Sequence, residues 1–138
     1  MDFSPVPEGE TAAASHEAVT VVVCSSCRDE TGSDAHPRAG HRLGEAVREA
    51  AAGMDVEVRQ AECLGNCRRR LSAALLRKGC WSYVFGDLTI GNGPDLVAAA
   101  RLFETSTDGL LPWRGRPDCL KRGLIARIPP LAELKDIA

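Results

Sequence analysis

The 138-residue sequence predicts an α/β fold: a β-α-β unit followed by a β-hairpin and a second helix, a four-stranded mixed sheet, and a C-terminal arm. Three observations predict it. A β-branched run, Val19-Thr20-Val21-Val22-Val23, and an alternating segment, Met54 to Arg59, flank a stretch with helical apolar period. Two further short apolar runs, Leu71 to Arg77 and Trp81 to Asp87, are joined around Lys78-Gly79-Cys80. Asn92-Gly93-Pro94-Asp95 then opens another helical stretch.

The first run is apolar at nearly every position, which suits a strand buried on both faces, and it ends at Cys24. Gly32, Ser33, Asp34 and Pro37 mark the loop that leads out of it. In the helix, Leu43, Ala46, Val47, Ala50 and Ala51 fall at i, i+3, i+4, i+7 and i+8, Arg42, Glu45, Arg48 and Glu49 take the other face, and Gly53 is placed to cap the end. Val56 and Val58 alternate with Asp55, Glu57 and Arg59, as in a half-buried strand. A strand, helix and strand this close in sequence form a right-handed crossover with parallel strands, whose carboxyl ends share one edge of the sheet.

Gly79 has the backbone freedom for the hairpin turn. Trp81, Tyr83 and Phe85 share a face, an aromatic stripe packed under a helix rather than a stacking platform for bases. Leu96, Val97, Ala100 and Phe103 give the second helix its apolar face. Beyond Thr107 the chain turns to prolines and basic residues, with one short helix expected from Pro117 to Arg122. The expected organisation is a disordered tail over residues 1–17, a metal-binding domain over 18–107, and an arm over 108–138 that packs on the domain or on a second subunit.

Hydrophobic residues make up 44% of the chain, ordinary for a globular domain, and no run approaches the roughly 18 apolar residues of a membrane span. The N-terminus lacks the basic start and apolar run of a secretory signal, so the expectation is a cytoplasmic protein with no membrane partner. The net charge of -2 conceals an asymmetry: residues 1–36 hold seven acids and one base, the remainder sixteen bases and twelve acids. That mild basic excess does not point to nucleic acid. His36 and His41 flank the start of the first helix and read as solvated loop histidines unless something else marks them as ligands or proton carriers.

The six cysteines carry the chemistry, because the cytosol keeps thiols reduced and disfavours a disulfide framework. Cys24-x-x-Cys27 follows the first strand and Cys63-x-x-x-Cys67 follows the second, so the crossover delivers both pairs to one sheet edge. Four thiolates suit either a tetrathiolate zinc site or an iron-sulfur cluster, and a Cys-x-x-Cys pair alone suits a dithiol oxidoreductase. Gly65 allows the backbone between the second pair to approach bound sulfurs, and Arg68, Arg69 and Arg70 would either raise a cluster's potential and attract an acidic redox partner or form a solvated loop with a surface affinity for phosphate-like groups. Cys80 is the alternative to Cys27 should its hairpin reach the same edge, and Cys119 reads as a small residue of the arm. There is no recognisable nucleophile-base set, nucleotide-binding glycine loop or pair of catalytic acids, which favours an electron-transfer protein over an enzyme.

Glu62-Cys63-Leu64-Gly65-Asn66-Cys67 resembles the E-C-L-G-x-C segment of the thioredoxin-like two-iron ferredoxins, which include the peripheral two-iron subunit of respiratory complex I. The resemblance covers roughly residues 19–90. It implies a thioredoxin-like ferredoxin fold and a 2Fe-2S cluster near the surface held by Cys24, Cys27, Cys63 and Cys67, with zinc as the alternative metal. The first pair departs from the family, which usually places four or more residues where this chain has two. Tyr83-Val84-Phe85-Gly86-Asp87-Leu88, Pro112-Trp113-Arg114 and Ile125-Ala126-Arg127-Ile128-Pro129-Pro130-Leu131 resemble a little-characterised family of small bacterial predicted metal-binding proteins, some of them associated with corrinoid synthesis. An open edge on the fourth strand, with the proline-rich arm, points to a homodimer.

Overall fold

The computed structural model describes residues 18–29, 31–33 and 35–137, and of Cys67 the backbone. The expectation for residues 1–17 falls outside the described residues. β1 (Val19–Cys24), α1 (Ala39–Ala50), β2 (Val56–Ala61), β3 (Ala73–Leu76), β4 (Ser82–Phe85), α2 (Gly93–Glu104), the short α3 (Cys119–Arg122) and β5 (Leu124–Ile128) follow one another along the chain. The sheet order is β2-β1-β3-β4-β5. β1 and β2 are parallel, as a crossover through α1 requires, and the other pairings are antiparallel.

Among the described residues the sheet has five strands, one more than the sequence predicts. The extra one is Leu124–Ile128, which pairs with β4 from Ser82↔Ile128 to Phe85↔Leu124. Its residues are half-buried to exposed, so the strand owes its place to the ladder on β4 more than to a buried apolar face. This also removes the fourth-strand edge invoked for a homodimer: among the described residues the edge strands are β2 and β5.

α1 and α2 pack on each other and on β1. Beneath them the register sets Val21 beside Leu75, Leu75 beside Tyr83, and Ala73 beside Phe85, all buried. Leu43 and Val47 of α1 and Leu96, Val97, Ala100 and Phe103 of α2 complete this core, and Tyr83 meets Phe103 edge-on at 5.6 Å. The helices approach closely at Gly93, where a Cβ would stand 2.8 Å from that of Ala46. β1 is buried on one face only, because Thr20 and Val22 on the other face remain half-exposed. No helix among the described residues is long and apolar enough to cross a membrane.

Candidate functional site

Three chain segments meet at the carboxyl end of β1. The parallel register sets Cys24 beside Ala61, so the second cysteine loop begins next to the first. On the other side Val23 pairs with Ala73, and the Cys24 amide donates to the Ser72 carbonyl at 3.1 Å. The turn after β1 is pinned to the second loop: the Ser25 amide donates to the Ala61 carbonyl at 2.8 Å, and the Ser26 amide to the Glu62 carbonyl at 3.2 Å. The Ser26 hydroxyl donates to the same Glu62 oxygen.

The first turn of α1 closes the site from behind. The Gly40 amide donates to the Cys27 carbonyl at 2.9 Å. A Cβ on Gly40 would lie 2.0 Å from the Cys24 carbonyl oxygen and 3.0 Å from the Cys27 nitrogen, so glycine is what lets the helix seat there.

Cys24 and Cys27 are 3% and 7% exposed, and their side chains are hydrogen-bonded to each other. That bond lowers the Cys24 pKa to about 5 against the opposing effect of burial, with help from the Leu64 amide and from the Ser26 hydroxyl and amide. Cys27 shifts upward because it donates to Cys24, is desolvated, and faces the Cys24 charge, while Ser72 partly offsets this. The pair is therefore asymmetric, the thiolate form being favoured at Cys24 and the thiol form at Cys27.

Cys63 is exposed on the loop beyond β2. Both its neighbours reach Cys24: the Glu62 carbonyl lies 3.8 Å from the Cys24 Sγ, and the Leu64 amide hydrogen-bonds that sulfur. Gly65 donates its amide to the Cys63 Sγ at 3.2 Å. The glycine is needed there for its φ of 74°, and not for close approach, since a Cβ would meet nothing within 4 Å. Cys67 opens a 3-10 turn, Cys67–Arg69, and its side chain lies outside what is described. Among the described residues, no three His, Cys, Asp or Glu side chains converge closely enough to hold a metal ion.

A cavity of about 330 Å³ opens beside the thiol pair, lined by Cys24, Ser26, Cys27, Arg28, Arg38 and Arg70. Of the arginine triplet, only Arg70 lines it; Arg69 is paired with Asp87 at 2.7 Å, and Arg68 is exposed. Arg28 and Arg38, which sequence reasoning did not select, complete the positive wall. Asn66 and the fully buried Ser72 also escaped it. Asn66 Nδ2 donates to the Ser72 Oγ at 2.9 Å and to the Arg69 carbonyl at 3.3 Å, fastening the second loop to the start of β3 beside Cys27. No periodicity signals such contacts, because they join segments that are remote in the chain.

Cys80 cannot substitute for Cys27. The antiparallel register runs from Val23↔Ala73 to Thr20↔Leu76, so the β3–β4 turn lies at the Val19 end of β1, roughly 13 Å along the strand from Cys24. Cys119 sits on α3, where its Sγ donates to Asp95 at 3.6 Å and burial pushes its pKa up to about 11. His41 is exposed and lies 3.5 Å from Glu45.

A family model described as "protein of unknown function (DUF1636)" matches residues 21–130. No curated protein matches the chain. Two solved structures of a thioredoxin-like [2Fe-2S] ferredoxin from Aquifex aeolicus share its fold. One is 17% identical with a TM-score of 0.55, covering 83% of this chain and 96% of its own. The other, the wild-type protein at 1.5 Å, is 14% identical with a TM-score of 0.52, covering 80% and 98%.

Proposed function

The chain belongs to the DUF1636 family of proteins of unknown function, and on that footing we propose that it carries a 2Fe-2S cluster and serves as a one-electron carrier or cluster-bearing accessory protein. The observation that carries this reading is the meeting of the Cys24-Cys27 thiols with the backbone on both sides of Cys63, in a fold similar to that of [2Fe-2S] ferredoxins. Cys24, Cys27, Cys63 and Cys67 would hold the cluster.

The donor chemistry fits such a group. Cys24 is already favoured as thiolate, the form that binds metal. Backbone amides of Ser26, Leu64 and Gly65 are directed at cysteine sulfurs, the contacts that stabilise charge on a thiolate ligand. Bound there, a cluster supplies reversible one-electron transfer. The protein's own residues hold the thiolates, exclude water from the Cys24 side, and place positive charge along the cavity wall. The exposed Cys63 loop is where a redox partner, acidic to match Arg28, Arg68 and Arg70, would approach.

The test is the visible and electron paramagnetic resonance spectrum of protein purified without oxygen. A red-brown protein that bleaches on addition of dithionite and gives one S = 1/2 signal supports the proposal. A colourless protein with one tightly bound zinc overturns it in favour of a structural tetrathiolate site.

A dithiol oxidoreductase is the second reading, favoured by the asymmetric pair. A low-pKa Cys24 beside a protonated, buried Cys27 is the arrangement that thiol-disulfide exchange uses. Reduction of insulin disulfides by the metal-free protein, abolished in Cys24→Ser, would establish it.

A further inference from the structure

Arg38 stands out among the cations around the cavity. It lies just before α1 and sends its Nη1 to the Ser26 carbonyl at 3.0 Å, bracing the turn between Cys24 and Cys27. Its Nε is buried without a hydrogen-bond partner, and among the described residues it is the only buried side-chain nitrogen or oxygen left so. Native proteins rarely leave a charged donor unpaired away from water, and such a group calls for an acceptor that is missing. The residue lines the same cavity as the Cys24 and Cys27 thiols, with Arg28 also on the wall. An anionic group seated against those sulfurs would supply that acceptor.

We propose that Arg38 is a positioning residue for the cluster, giving its Nε–H to a sulfur of the bound group or of its cysteine ligands and thereby raising the reduction potential. The inference rests on the cluster reading above. Reduction adds one electron, supplied by a reductant such as dithionite, with no bond made or broken, and the site becomes more negative by one charge. A fixed guanidinium and an N–H···S hydrogen bond both favour that more negative state. Arg38 also holds Ser26, whose hydroxyl and amide reach Cys24, so its effect is concentrated at the Cys24–Cys27 end of the site.

The experiment is an anaerobic redox titration of the cluster-loaded full chain, wild type against Arg38→Gln, Arg38→Lys and the distant, exposed Arg114→Gln, together with the Fe–S stretching bands. Arg38→Gln is expected to lower the potential by about 59 mV, a tenfold change in a one-electron equilibrium. Arg38→Lys keeps the charge but loses the planar donor, so it should fall between the two and shift the Fe–S bands. Arg114→Gln should match the wild type. Wild-type potential and bands in both Arg38 variants would overturn this inference alone. Folded Arg38 variants that hold no cluster at all would replace tuning by a retention role and overturn it too. A wild-type protein that never takes up iron and sulfide overturns the cluster reading, and this proposal with it.

Discussion

Gly40→Ala is the substitution that most sharply tests how α1 holds the cysteine turn. The added methyl would stand 2.0 Å from the Cys24 carbonyl oxygen, and 3.4 Å is the near limit of ordinary contact, so the backbone must yield by about 1.4 Å. The three nearest atoms, that oxygen, its carbonyl carbon and the Cys27 nitrogen, are all main chain, so no side chain can rotate away. Overpacking of this kind costs typically ~1–3 kcal/mol, and a rigid backbone contact belongs at the upper end. The helical preference of alanine over glycine returns roughly 0.5–1 kcal/mol, leaving a net loss of about 2 kcal/mol. For a chain of this length that is a fall in Tm of roughly 6–10 °C.

Gly44 is the internal control. It lies one turn further along α1, where a Cβ would meet Val23 at an ordinary 3.9 Å, so Gly44→Ala should gain helix propensity and raise Tm slightly. Thermal unfolding followed by circular dichroism, with iron content measured on the same samples, reads both effects. Equal Tm values for the two alanine variants, with unchanged iron in Gly40→Ala, would refute the claim that α1 is seated through Gly40.

Ser72→Ala removes the acceptor of Asn66 Nδ2 and a hydroxyl beside Cys27 in a fully buried setting, and should cost about 1–3 kcal/mol in urea unfolding while raising proteolysis of the 62–70 loop. In the reduced, metal-free protein the pH dependence has a worked sign. The Cys24 pKa is lowered from 9.0 to about 5, so its contribution to stability is complete above pH 9 and is lost as pH falls toward 5. Cys27 is shifted upward, so its contribution is complete below pH 9 and lost above it. Urea midpoints should therefore peak near pH 9, and thiolate absorbance at 240 nm should show a midpoint near 5 that disappears in Cys24→Ser. Cys80→Ser should leave metal content unchanged, because its turn lies at the opposite end of β1. Cys119→Ser should do the same, since a serine hydroxyl can also donate to Asp95.

Much of the fold was legible because it is written in local periodicity. The β-branched run located β1, although it read as buried on both faces and is buried on one; the i, i+3, i+4 spacing of Leu43 and Val47 and the Val56–Val58 alternation each report a single inward face, and parallel pairing of β1 with β2 follows from the crossover. β5 was not legible, because Leu124–Ile128 buries little and gains its place from β4 alone. At the site, chain order was enough to bring Cys24, Cys27 and the Cys63 loop together. Excluding Cys80 required the β1–β3 register, and Gly40, Asn66, Ser72 and Arg38 act through contacts across the fold that leave no pattern in sequence.

The most direct test of one shared site is the iron and sulfide content of anaerobically purified protein, measured for the wild type, for each of Cys24→Ser, Cys27→Ser, Cys63→Ser and Cys67→Ser, and for Cys80→Ser. The account predicts about two irons and two sulfides per chain in the wild type and in Cys80→Ser, with loss or marked depletion in each of the other four. Full occupancy in Cys27→Ser or Cys67→Ser, or loss in Cys80→Ser, would contradict it.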